Sequence, residues 1–133
     1  MTESSGVLRV MRILSALLLL AIGGIHLFLV FDGVGGTLGV LFVLNTIAAF
    51  VLAIGMLTVR GRLFRIATVL SLLFVIASLA SLLLALTVGL FGITEVWTFT
   101  LVPETVVVEA IGIVILGITT AVAFRAPAVA RTA

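Results

Sequence analysis

Residues 13–31 read ILSALLLLAIGGIHLFLVF, an apolar run broken by a single ionisable side chain, His26. At about 1.5 Å of rise per residue, a helix of this length crosses a hydrocarbon core of roughly 30 Å. Three further runs of similar length follow at 37–59, 66–88 and 106–124. The composition agrees: 64% of the 133 residues are hydrophobic and 9% charged, far from the balance of a water-soluble domain. With lipid as solvent, the backbone must satisfy its own hydrogen bonds, as helices or as a closed barrel. A barrel needs strands of alternating polarity, and these runs do not alternate. The reading is an all-α membrane protein, an up-down four-transmembrane-helix bundle forming one domain over 1–133.

Arg9 and Arg12 precede the first run as they would in a signal peptide. The run is too long for one and lacks a small-x-small cleavage site before the next span, so it is expected to remain as an anchor. The arginines also set the orientation. They stand at 9 and 12, at 60, 62 and 65, and at 125 and 131, all on one side of the expected bundle. The connections 32–36 and 89–105 carry Asp32, Glu95 and Glu104 and no basic residue. The positive-inside rule then places both termini in the cytoplasm of a cell (inner) membrane protein. The sequence pI of about 11.2 therefore reflects topology rather than nucleic-acid binding. For Arg60, Arg62 and Arg65, attraction to anionic headgroups is a sufficient role.

The connections are short. Arg60-Gly61-Arg62 makes the second and third spans antiparallel neighbours, and the three glycines of 32–36 suit a tight turn. No repeat relates the two hairpins, which disfavours an inverted-repeat transporter. The longest connection holds Val96-Trp97-Thr98-Phe99-Thr100-Leu101, with the only tryptophan, and is expected to lie at the headgroup level. Pro103 and Glu104 fit the first turn of the fourth helix, where Glu104 complements the helix dipole.

Two ionisable residues remain inside the spans, His26 and Glu109. His26 lies five residues, roughly 7 Å, below the external end of its span, and Glu109 about as far below the start of its own. Asn45 and Ser81 fall about a turn deeper, so each helix contributes one polar side chain to the outer half. A charge directed at lipid costs a few kcal/mol, which turns the set inward. Gly23, Gly112, Ala48 and Ala49, together with a stripe of Ala77, Ser81 and Ala85, are expected to allow close helix contact. In the inner half Ser15, Ser71, Thr119 and Thr120 are the clear polar candidates, and bonds to i−4 carbonyls or neighbouring helices would account for them.

Two readings of the layer stand side by side. His26 and Glu109 could bond each other and fix helix register, or they could line a pocket open to the outside, with Glu109 exchanging a proton and His26 as its partner. The chain has no cysteine, which excludes thiol redox chemistry and thiolate metal sites. A haem would need histidines from two protomers, and zinc would need His26, Glu109 and an external acid; no metal site is expected and no cofactor is named.

Gly24-x-His26, Gly39-Val-Leu-Phe-Val-Leu-Asn45, Gly89-Leu-Phe-Gly-Ile-Thr-Glu95 and Glu109 together resemble a family of small four-span membrane proteins, met mainly in actinobacteria, with no assigned function. The 32–36 turn is short for that family, and the general architecture is similar to that of DoxX-like proteins. The resemblance implies no substrate, but it brings Glu95 to the candidate set as part of the Gly89 motif. The function expected is that of an accessory or ligand-binding component, homo-oligomeric or bound to a larger membrane complex. The alternative is a proton-linked carrier or membrane enzyme using Glu109 and His26.

Overall fold

The computed structural model describes residues 3–125, with side chains from Gly6 onward; Arg131 lies outside the described residues. Four helices run in sequence: α1 Glu3–Phe31, α2 Gly36–Thr58, α3 Arg62–Thr87 and α4 Val102–Arg125. Each is long and apolar enough to cross a membrane. Among the described residues there is no strand beyond an isolated Leu90–Ile93 bridge. The fold is an all-α four-helix bundle.

The turns explain its up-down path. Gly33 and Gly36 take positive φ between α1 and α2, and Gly39 lies so close to the Val34 carbonyl that a Cβ there would stand 2.7 Å from its oxygen. Gly61, at φ 61°, reverses the chain between α2 and α3. These turns put Arg9, Arg12, the Arg60–Arg65 turn and Arg125 at one end, called here the arginine end, and the 32–35 and 88–101 connections at the other, the loop end.

α1 packs on both α2 and α4, and α3 packs on α4; the seam between α2 and α3 is the least extensive of the four. Close approach of α1 and α2 depends on Gly23, where a Cβ would meet the Phe50 ring at 2.7 Å and Ala49 Cβ at 3.0 Å. Gly112 does the same for α4, facing Val75, Ile22 and Leu18. The small-residue stripe on α3 behaves differently from expectation: Ala85 is buried, but Ala77 and Ser81 are exposed. The glycines, not that stripe, provide the close contacts.

The arginine end is tied by Arg12. Its side chain is buried, donates to the Val59 carbonyl at 2.7 Å, and lies 4.3 Å from the Phe64 ring centroid. It thereby satisfies a carbonyl at the C-terminus of α2, a position that favours positive charge. Arg65 stacks on Phe124 at 4.1 Å. Further in, the Ser15 and Thr119 hydroxyls bond at 2.8 Å between α1 and α4, while Thr119 and Thr120 donate to their i−4 carbonyls. Ser71 departs from that pattern: its hydroxyl is buried with no partner.

α4 starts at Val102, a turn before the apolar run at 106, because a helix's first turn accommodates Pro103 and Glu104 while an apolar count does not. Thr105 closes that turn, its hydroxyl donating to the Leu101 carbonyl at 2.6 Å.

Candidate functional site

A cavity of about 360 Å³ occupies the loop-end half of the bundle. That volume lies within the roughly 300–1,000 Å³ typical of small-molecule sites. Its walls include His26, Asn45, Ser81, Glu95 and Glu109, so all five residues singled out from the sequence border one space. Most of the remaining wall is apolar, with Leu29, Leu41, Phe42, Phe74 and Val102 prominent.

The polar side chains do not pair as their depths suggested. Among the described residues no hydrogen bond or ion pair joins His26 to Glu109. His26 faces its own helix, with Nδ1 2.8 Å from the Ile22 carbonyl oxygen. A carbonyl only accepts, so Nδ1 carries the hydrogen and the neutral ring keeps its lone pair on Nε2. The Phe42 ring meets the imidazole edge-on at 4.9 Å between centroids. The register lock between His26 and Glu109 is thus replaced by another connection.

That connection runs through Ser78, a residue the depth count passed over. Asn45 Nδ2 on α2 donates to Ser78 Oγ on α3 at 3.0 Å, and Ser78 in turn donates to Glu109 Oε1 on α4. Three helices are joined by one relay. Asn45 Nδ2 can only donate, and toward an ionised Glu109 the Ser78 hydroxyl gives its only hydrogen to the carboxylate. Two oxygens are left over: Glu109 Oε2 and Asn45 Oδ1 are buried and have no partner. Ser81, expected in this role, instead donates to the Ala77 carbonyl at 2.7 Å and sits exposed at the cavity rim.

Ser78 and Ser81 are three residues apart, so their directions on the helix differ by about 60°. A signal for Ser78 was present. It lies seven residues from Ser71 and seven from Ala85, on the stripe that buries Phe64, Ser71, Val75 and Ala85.

The 88–101 connection roofs the cavity. Leu90-Phe91-Gly92-Ile93 is a tight turn closed by reciprocal bonds of 2.9 and 2.8 Å, with positive φ at Phe91 (52°) and Gly92 (76°) as a type I′ turn requires. The Glu95 amide donates to the Ala85 carbonyl at 2.8 Å, fastening the roof to the end of α3. Glu95 is half-buried above the cavity, its Oε1 3.3 Å from the Val96 amide. Trp97 and Val96 are exposed at the loop end. The floor is apolar. Ile22, Val75 and Leu116 are fully buried one turn or more below the relay, and Gly112 lets Val75 and Ile22 close against α4.

Among the described residues no three His, Asp or Glu side chains gather as metal ligands would. The arrangement therefore offers an apolar chamber with a few hydrogen-bonding atoms at its base. The chain matches no family model, no curated protein and no solved structure.

Proposed function

We propose that this chain is a ligand-binding component of the cell membrane, with both termini in the cytoplasm and the cavity facing outward. It holds a small, mostly apolar molecule in the loop-end half of the bundle, alone as a homo-oligomer or as an accessory part of a larger membrane complex. The orientation is supported by the gathering of arginines at one end. The likeness to small four-span proteins of unassigned function belongs to the same reading.

One observation carries the ligand-binding part: Glu109 and Asn45 line a cavity, and each keeps one buried oxygen, Oε2 and Oδ1, without a partner. Buried polar atoms are nearly always hydrogen-bonded, and leaving one unpaired costs about 1–3 kcal/mol. A bound molecule that supplies donors removes that cost.

A second reading, proton-linked transport or catalysis, is favoured by the presence of a wholly buried carboxyl and an imidazole on the same cavity. Purification from native membranes in mild detergent, followed by mass spectrometry of what copurifies, separates the two. The ligand-binding reading expects a small molecule at near-stoichiometric amount, much reduced in Glu109→Gln with the fold retained. Wild-type protein that carries no small molecule, in a preparation where Glu109→Gln abolishes a proton-dependent flux, would reverse the order of the two.

A further inference from the structure

We infer that the cavity is filled sideways from the outer leaflet, through a portal between α2 and α3, by a membrane amphiphile whose head group donates hydrogen bonds: a hydroxyl or an amine on an apolar chain. The inference rests on the ligand-binding and orientation readings above and adds the route and the ligand's chemistry.

The route follows from which lining residues also belong to the apolar outer surface of the helices. On α2, Leu44 borders the cavity and also continues a lipid-facing stripe with Val40, Ile47 and Val51. On α3, Ala77 and Ser81 border it and continue the exposed stripe of Leu70, Leu73 and Leu84. Both edges of the opening thus belong to surface that faces acyl chains. The side chains there are small, and Ser81 hides its hydroxyl against its own helix. Toward water the cavity is capped by Leu90, Phe91, Ile93 and Phe99, an apolar lid secured to α3 through the Glu95 amide. A molecule that is itself dissolved in the bilayer meets the open side; one dissolved in water meets the lid.

The head chemistry follows from the atoms at the base. Glu109 Oε2 and Asn45 Oδ1 are unpaired oxygens, and the neutral His26 ring has its hydrogen committed to Ile22, leaving a lone pair on Nε2. Asn45 Oδ1 and His26 Nε2 can only accept, as Glu109 Oε2 does when ionised, so the missing partner brings donors. Arginine side chains, which would welcome phosphate or carboxylate, all sit at the far end among the described residues. An anionic head would find no cation there, and would be repelled by Glu109 when that is ionised.

The test uses full-length protein in lipid nanodiscs, loaded with three probes matched in chain: monooleoylglycerol, oleylamine and oleate. Native mass spectrometry reads occupancy and a loading time course. Retention of monooleoylglycerol, oleylamine or both, at tenfold or more over oleate, is expected, and which of the two is held identifies the head as hydroxyl or amine. Ala77→Phe and Ser81→Phe, apolar changes on an exposed face, should slow loading at least tenfold, whereas Ala80→Phe, on the same face but off the cavity, should not. Helicity and detergent resistance of each variant show that it is folded.

Oleate held as well as the donors overturns the head assignment. Wild-type loading rates in both folded portal variants, or a block produced instead by Thr100→Phe at the roof, overturn the route. A wild-type protein that holds none of the probes and carries no native small molecule removes the ligand-binding reading itself, a different result from either.

Discussion

Ser78→Ala is the change that most directly tests the relay. It deletes two interhelical hydrogen bonds at once, the one received from Asn45 and the one given to Glu109. Hydrogen bonds between membrane helices average about 0.6 kcal/mol and reach about 1.7. Loss of both therefore costs about 1–3 kcal/mol, and the upper part of that range applies because Glu109, wholly buried, loses its one protein partner. Taking about 2 kcal/mol, the folding equilibrium falls roughly thirtyfold. The neighbouring Ser81→Ala removes only a bond within its own helix, at an exposed position, and should stay within about 0.3 kcal/mol of wild type. Reversible unfolding in mixed micelles, or trapping of the unfolded state by a bulky tag, measures both. Asn45→Ala combined with Ser78→Ala should cost less than the two singly, because they share one bond. Equal effects of Ser78→Ala and Ser81→Ala, or strict additivity with Asn45→Ala, would refute the relay.

Three other expectations follow from packing. Gly23→Ala should destabilise by about 1–3 kcal/mol, since its methyl would meet the Phe50 ring, while Gly24→Ala, with nothing within 4 Å, should be neutral or mildly stabilising; Phe50→Leu in the Gly23→Ala background should recover part of the loss in the same micelle assay. Arg12→Lys should cost about 1 kcal/mol, because an ammonium cannot both cap Val59 and stack flat on Phe64, and circular dichroism should show earlier thermal loss of helix. Phe91→Asn should raise stability by about 1 kcal/mol, since Phe91 holds φ 52° in the left-handed region that asparagine tolerates, and the residue is 82% exposed. The same variant opens the roof and should shorten retention of any bound molecule, read by exchange in nanodiscs.

The four helices were legible in the sequence because lipid leaves the backbone few options, so hydropathy alone fixes element type. The depth of the polar layer was legible too, since helical rise converts residue number into distance. Rotation about each axis was not. Depth favours Ser81 over Ser78 by about one helical turn, but only packing reveals that the inward face of α3 runs through Phe64, Ser71, Val75 and Ala85. Likewise His26 and Glu109 share a layer without sharing a bond, because a helical histidine can satisfy Nδ1 on its own i−4 carbonyl. Glu95, which follows directly on the third span, could be expected to overhang an outward pocket; the backbone bond to Ala85 that holds it there is a feature of the turn and not of any side-chain pattern.

The balance between holding a molecule and passing protons or solutes turns on the half of the bundle below the relay. A path would have to continue from Glu109 toward the arginine end, and the next layer on three helices is Ile22, Val75 and the tight contact at Gly112. Beyond it stand Leu19 and Leu116, wholly buried, before the Ser15–Thr119 pair is reached. From Glu109 to Thr119 is ten residues, about 15 Å along α4, and the hydroxyl at the end is already bonded to Ile115 and Ser15. Ser71, with its unpaired hydroxyl, is the one polar group inside that gap on α3. Water could cross such a layer only if the helices separated, and the close packing at Gly112 opposes separation there. The α2–α3 seam, by contrast, is the least extensive of the four and borders the cavity. The proposed sideways route therefore crosses the less extensive seam, and a path toward the arginine end would cross the more closely packed layer.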